Sequence, residues 1–114
     1  DHSFIARNNA EYEARRNLVV ALSGKIPGLS SAPPQGAFYC LISCGAYLGK
    51  KTADGQPVDT DEELVDYLLN DAGVATIPGT PFGIPGYFRT SFATSQAQIK
   101  TAFERIAEAL GRLS

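Results

Sequence analysis

From about Ser3 to Lys25, apolar side chains return every fourth position at Ala14, Leu18 and Leu22, with Val19 and Ile26 beside them. Arg7, Glu11, Glu13, Arg15 and Arg16 fill the other face. That spacing predicts one long helix, and Pro27-Gly28 ends it. The Ser-, Pro- and Gly-rich stretch from Ser30 to Gly36 leads into Ala37-Phe38-Tyr39-Cys40-Leu41-Ile42, an apolar, partly aromatic run of strand length. Residues 49 to 59 read as a polar loop. Thr60 and Glu63 then form a capping box, with Asp61 and Glu62 suited to the positive end of a helix dipole. Leu64, Val65, Leu68 and Leu69 make that helix's apolar stripe, and Gly73 is placed to close it in a left-handed cap.

Val74 to Ile77 predicts a short strand. The nine residues Pro78 to Gly86 hold three prolines and three glycines, the composition of a shaped loop. Tyr87 to Thr94 alternates as a strand, with Tyr87, Arg89, Ser91 and Ala93 on one face and Phe88, Thr90 and Phe92 on the other. Ser95 and Gln98 open a last helix whose apolar side is Ile99, Ala102, Phe103, Ile106 and Leu110. Helix, strand, helix, strand, strand, helix is the order of an α/β sandwich (an α+β arrangement), a small sheet of about three to four strands with helices packed on it.

Composition narrows the function. The 114 residues make one domain, and 44% hydrophobic content is enough for a modest core. Ten Lys+Arg against twelve Asp+Glu leave a net charge of −2, which excludes a general nucleic-acid footprint. No run approaches the roughly 20 apolar residues that span a bilayer, so no membrane partner is expected. The single histidine, His2, and two cysteines, Cys40 and Cys44, are too few for a structural zinc site, so no metal is expected. The cysteines read as reduced structural thiols of a cytoplasmic protein. A chain that begins at Asp1 and contains no methionine reads as a processed protein or a piece of a longer one.

The usual catalytic sets are missing. One terminal histidine supports neither a Ser/His/Asp nor a Cys/His arrangement, and no phosphate-binding glycine loop occurs. Asp61-Glu62-Glu63 reads as dipole and capping chemistry, Arg15-Arg16 as a solvated face, and Lys50-Lys51 as loop charge. Arg89 stands apart, because it lies inside an apolar strand just after the Pro/Gly loop. It must meet a carboxylate, a phosphate or solvent. Its planar fork suits bidentate carboxylate recognition. The pattern leaves two readings open: a structural or sheet-edge arginine, and a clamp for a ligand carboxylate.

Four segments in register resemble a known family. They are Tyr12-x-x-Arg15-Arg16, Pro34-Gln35-Gly36-Ala37-Phe38-Tyr39, Gly73-Val74-Ala75-x-x-Pro78-Gly79-x-x-Phe82-Gly83, and Phe88-Arg89-x-Ser91-Phe92-Ala93. Together they resemble the C-terminal small domain of class I pyridoxal-phosphate aminotransferases of fold type I, most of all the bacterial aspartate and aspartate/prephenate group. The resemblance implies that residues 1–114 are that small domain, in a longer enzyme that forms a homodimer. It implies that Arg89 clamps the substrate α-carboxylate and that Phe38 stands toward the active-site mouth. It also implies pyridoxal 5′-phosphate as cofactor, with its lysine on a large domain outside this sequence. The substrates implied are an amino acid, of aspartate type, and a 2-oxo acid. Aromatic or prephenate specificity is the nearest alternative, and a stand-alone, non-catalytic amino-acid-binding module is the competing class.

Overall fold

The computed structural model describes residues 2–31, 39–91 and 95–114. Helix α1 runs His2–Gly24, and two residues of strand β1 (Ser30–Ser31) precede β2 (Tyr39–Ser43). A short hairpin of β3 (Lys50–Lys51) and β4 (Pro57–Val58) leads to α2 (Asp61–Tyr67). The chain then passes through β5 (Ile77–Pro78) and β6 (Tyr87–Ser91) into α3 (Gln96–Gly111). The main sheet is antiparallel with order β1-β2-β6-β5. This is the expected sandwich of a small sheet and helices.

Register explains the two faces of the sheet. Ile42 lies opposite Phe88 and Cys40 opposite Thr90, while Leu41 and Ile77 flank Arg89 on either side. Directly opposite residues share a face. Cys40, Ile42 and Phe88 are buried, in one core with Val19 of α1, Leu64 of α2 and Phe103 and Ile106 of α3. The face carrying Leu41, Arg89 and Ile77 is left partly open, with Ile77 46% exposed.

Helix ends follow the side chains foreseen for them. The Thr60 hydroxyl accepts the Glu63 N–H at 3.1 Å, and the Glu63 carboxylate reaches back to the Asp59 N–H at 3.1 Å. Ser95 accepts the Gln98 N–H at 3.2 Å at the start of α3. Gly73 closes the second helix at φ 68°, ψ 24°; its N–H returns to the Leu69 carbonyl at 3.1 Å, the bond of an αL cap, and Val74 N–H reaches the Leu68 carbonyl at 3.2 Å.

Four local expectations are corrected. The polar loop contains the β3–β4 ladder, whose Lys51 also exchanges backbone hydrogen bonds with Ser114 at 2.8 and 3.0 Å. The strand expected over Val74–Ile77 is found at Ile77–Pro78, the two residues that pair with β6, and the proline is tolerated because β5 is an edge strand. Helix α2 widens into a π-helical turn at Leu68–Ala72, which rotates Leu69 out of the apolar stripe to 51% exposure. Ser30–Ser31, read as loop, adds the edge strand β1. Pro34–Phe38 and Phe92–Thr94 lie outside the described residues.

Candidate functional site

Arg89 is the third residue of β6, paired on both sides, so its backbone is held by β2 and β5 while its side chain rises from the open face. The Pro/Gly loop between β5 and β6 brings Phe82 to it: the guanidinium carbon stands 4.4 Å from the ring centroid. A guanidinium stacked on a ring keeps its N–H donors in its own plane, where a carboxylate is received bidentately. Phe82 is 56% exposed and Ile77 is half exposed, so the arginine sits in an apolar apron. Phe38, the other residue expected at the site, lies outside the described residues.

The loop is a fixed object. Gly79 donates to the Tyr87 carbonyl at 2.8 Å, and its own carbonyl accepts Phe82 N–H at 2.9 Å and Ile84 N–H at 3.0 Å. A Cβ on Gly79 would stand 2.1 Å from the Ile84 carbonyl oxygen, so only glycine fits this crossing. Thr80–Phe82 form a 3₁₀ turn that Gly83 ends at φ 77°.

Asp61 holds the loop from outside. It is 2% exposed, and its carboxylate accepts the Thr80 N–H at 2.9 Å, the Thr80 hydroxyl, and the Gly86 N–H at 3.3 Å. Burial pushes its carboxyl up. The Thr80 hydroxyl, the Thr80 and Gly86 amides and its own amide outweigh that, and the carboxyl lies below its ordinary value. Sequence reasoning assigned Asp61 to the helix dipole with its neighbours; it does stand in the first turn of α2, and its carboxylate has a second task there. Of the three acidic residues, Glu63 does the capping, and Asp61 turns inward to the loop.

Cys44 completes the ring of contacts. Its N–H donates to the Gly86 carbonyl at 2.9 Å and its thiol to the same oxygen at 3.3 Å. Burial first and the Asp61 charge second push this thiol up to about 12. Such a thiol is a structural donor and a poor nucleophile.

The remaining candidates stand elsewhere. Arg15 pairs with Glu11 at 2.9 Å within α1, and Glu11 also accepts from Gln96 of α3 at 3.3 Å, so Glu11 links the two helices. Lys50 and Lys51 form β3, Lys25 follows α1 and Lys100 lies on α3. A groove of about 490 Å³ between Gly73–Ala75 and α3 is lined by Thr90, on the opposite face of β6 from Arg89, and does not include Arg89. Among the described residues no cluster of metal-ligating side chains occurs, and no helix is long and apolar enough to cross a membrane.

Comparisons with known proteins place the chain in a family. The family model described as aminotransferase class I and II matches residues 1–106. An aspartate aminotransferase of Rhizobium meliloti (strain 1021) is 45% identical over 111 residues, which cover 97% of this chain and 27% of that protein. A probable aspartate/prephenate aminotransferase of Rickettsia bellii is 36% identical over 96% of this chain and 28% of its own length. The crystal structure of an aspartate aminotransferase from Rhizobium meliloti superposes with a TM-score of 0.95 at 44% identity, covering 100% of this chain and 28% of that one. The chain thus spans little more than a quarter of the length of these relatives.

Proposed function

The chain belongs to the class I and II aminotransferase family, and from that premise we propose that it is the substrate-gripping small domain of a pyridoxal-phosphate-dependent aminotransferase. The observation that carries the reading is the arginine raised from the open sheet face and stacked on Phe82. Arg89 receives the α-carboxylate of the amino acid, and later that of the 2-oxo acid, through its in-plane donors. An aspartate-type donor is supported by the names of the relatives, aspartate and aspartate/prephenate aminotransferases. The rest of the enzyme, a large domain and a second copy in a homodimer, is part of the same proposal.

The residues present fit the substrate end of the site and do not fit the cofactor. None of Lys25, Lys50, Lys51 and Lys100 stands on the β2–β6–β5 face with Arg89. The lysine that anchors pyridoxal 5′-phosphate therefore belongs to chain outside these residues. This chain supplies orientation: a carboxylate held at two points fixes the direction of the α-carbon's bonds, and such positioning is worth several kcal/mol in a reaction. The exposed ring of Phe82 and Ile77 shed water around the ion pair and strengthen it.

Arg89→Lys in the full-length enzyme tests the assignment. A lysine keeps the charge and loses the fork. The expected outcome is a raised amino-acid KM and a kcat/KM lower by roughly 10²-fold, about 3 kcal/mol, for both amino-acid and 2-oxo-acid substrates. Near-normal kinetics with both substrates would overturn it.

A further inference from the structure

The carboxylate of Asp61 gathers both ends of one loop. Thr80 lies at its start and Gly86 at its close, and both deliver their backbone N–H groups to this one side chain, with the Thr80 hydroxyl as a third donor. Between those two anchors lies Phe82, whose ring supports the guanidinium of Arg89. Arg89 itself follows Gly86 by three residues in β6. Whatever fixes Thr80 and Gly86 relative to each other therefore fixes the height of the ring beneath the arginine.

A buried carboxylate is a costly way to close a loop, since an ion removed from water must recover its solvation from donors. Each oxygen of Asp61 accepts from the loop, so both are in use. An amide would offer one acceptor and turn an N–H₂ group toward an N–H donor. The site thus requires the double acceptor that only the ionised acid provides. Glycine at 79 serves the same end, because the loop crosses itself where no Cβ fits.

We propose that Asp61 is a positioning residue for substrate-carboxylate binding, acting through the Thr80–Gly86 loop and the ring of Phe82 on Arg89. This rests on the reading of Arg89 as the clamp. Its effect is confined to the carboxylate end of the substrate. Loosening the loop lets the ring fall away from the guanidinium, and the fork then loses its fixed plane.

The test uses the full-length holoenzyme. Asp61→Asn is expected to raise the KM of the amino acid and of the 2-oxo acid by 5- to 20-fold, with kcat changed less than threefold and the absorbance spectrum of the bound cofactor unchanged. Phe82→Ala is expected to raise the same two KM values, and the double variant to be no worse than the more impaired single one, because both remove one support. Should Asp61→Asn fail to fold, Thr80→Val removes one donor and leaves the acid in place. It should raise KM severalfold, and Thr80→Ser should restore it. Unchanged KM values in Asp61→Asn or Thr80→Val, or fully additive effects with Phe82→Ala, would overturn the inference. Arg89→Lys measured alongside separates the two ideas. If it too leaves both KM values unchanged, the clamp reading falls first. If it impairs both while Asp61→Asn only lowers the unfolding midpoint, the clamp stands and the positioning role falls.

Discussion

Cys44 and Asp61 share one loop residue, Gly86, and the fold drives their ionisation in opposite directions. Asp61 meets donors and is held below its ordinary value, while Cys44 is buried beside that negative charge and its thiol is pushed up to about 12. A thiol whose pKa is higher folded than unfolded contributes stability in full below the unfolded value of 9.0, and loses it as pH rises from there toward about 12. Cys44→Ser keeps a donor for the Gly86 carbonyl and removes the titration. Urea midpoints of the wild type should therefore fall more steeply than those of Cys44→Ser across that alkaline window, and parallel curves would refute the coupling. Arg89 was legible in the sequence because a fixed charge in an alternating apolar strand is a local anomaly. Asp61 was not, since a helix N-terminus already accounted for it and its partners Thr80 and Gly86 lie 19 and 25 residues away. Cys40 and Cys44 are free, buried thiols, and geometry keeps them so. Cys40 and Cys44 lie along nearly extended chain, where four residues span roughly 13 Å, and a bridge needs Cα atoms within about 7 Å.

At the scale of elements, a short helix depends on its ends. Helix α2 has seven residues before the π-helical turn, so nearly all of its backbone groups belong to a terminus. Thr60 is the N-cap, and it also sets the direction in which Asp61 leaves the helix start. Thr60→Ala should lower unfolding stability by about 1 kcal/mol, read as a lower urea midpoint at an unchanged slope, and Thr60→Ser should retain most of it. A loss below about 0.3 kcal/mol would mean the cap is redundant here. Elements with a clear period or a long apolar run were readable: α1 and α3, and β2 and β6 over their described residues, stand where the apolar residues put them. The two-residue strands β1, β3 and β4 are too short to carry a period, and β1 also depends on β2 across a proline-rich stretch. The π-helical turn was equally hidden, because its cause is tertiary: Leu68 and Ala72 are both buried, and Tyr67 is tied through its hydroxyl to the Ala109 carbonyl at 2.6 Å.

At the scale of the molecule, one face of the sheet is finished and the other is not. The finished face closes on Phe88, Ile42 and the helices; the unfinished one shows Arg89 amid Ile77 and Phe82. A half-buried cation edged by apolar surface suits a ligand that enters between two bodies, with its carboxylate on this one. Amino transfer would also need a lysine amine to hold the cofactor beside the same amino acid. The lysines of this chain lie on α3, at the end of α1 and on the separate β3–β4 hairpin, away from that face. On the proposed reading the unfinished face grips without reacting. The isolated 114-residue chain, confirmed as folded by circular dichroism, should leave the absorbance of added pyridoxal phosphate as it is in buffer. It should also convert no amino acid to its 2-oxo acid. Turnover by this chain alone, reduced when Arg89 is replaced by lysine, would place a competent lysine within its own surface and end the division of labour argued from the sheet.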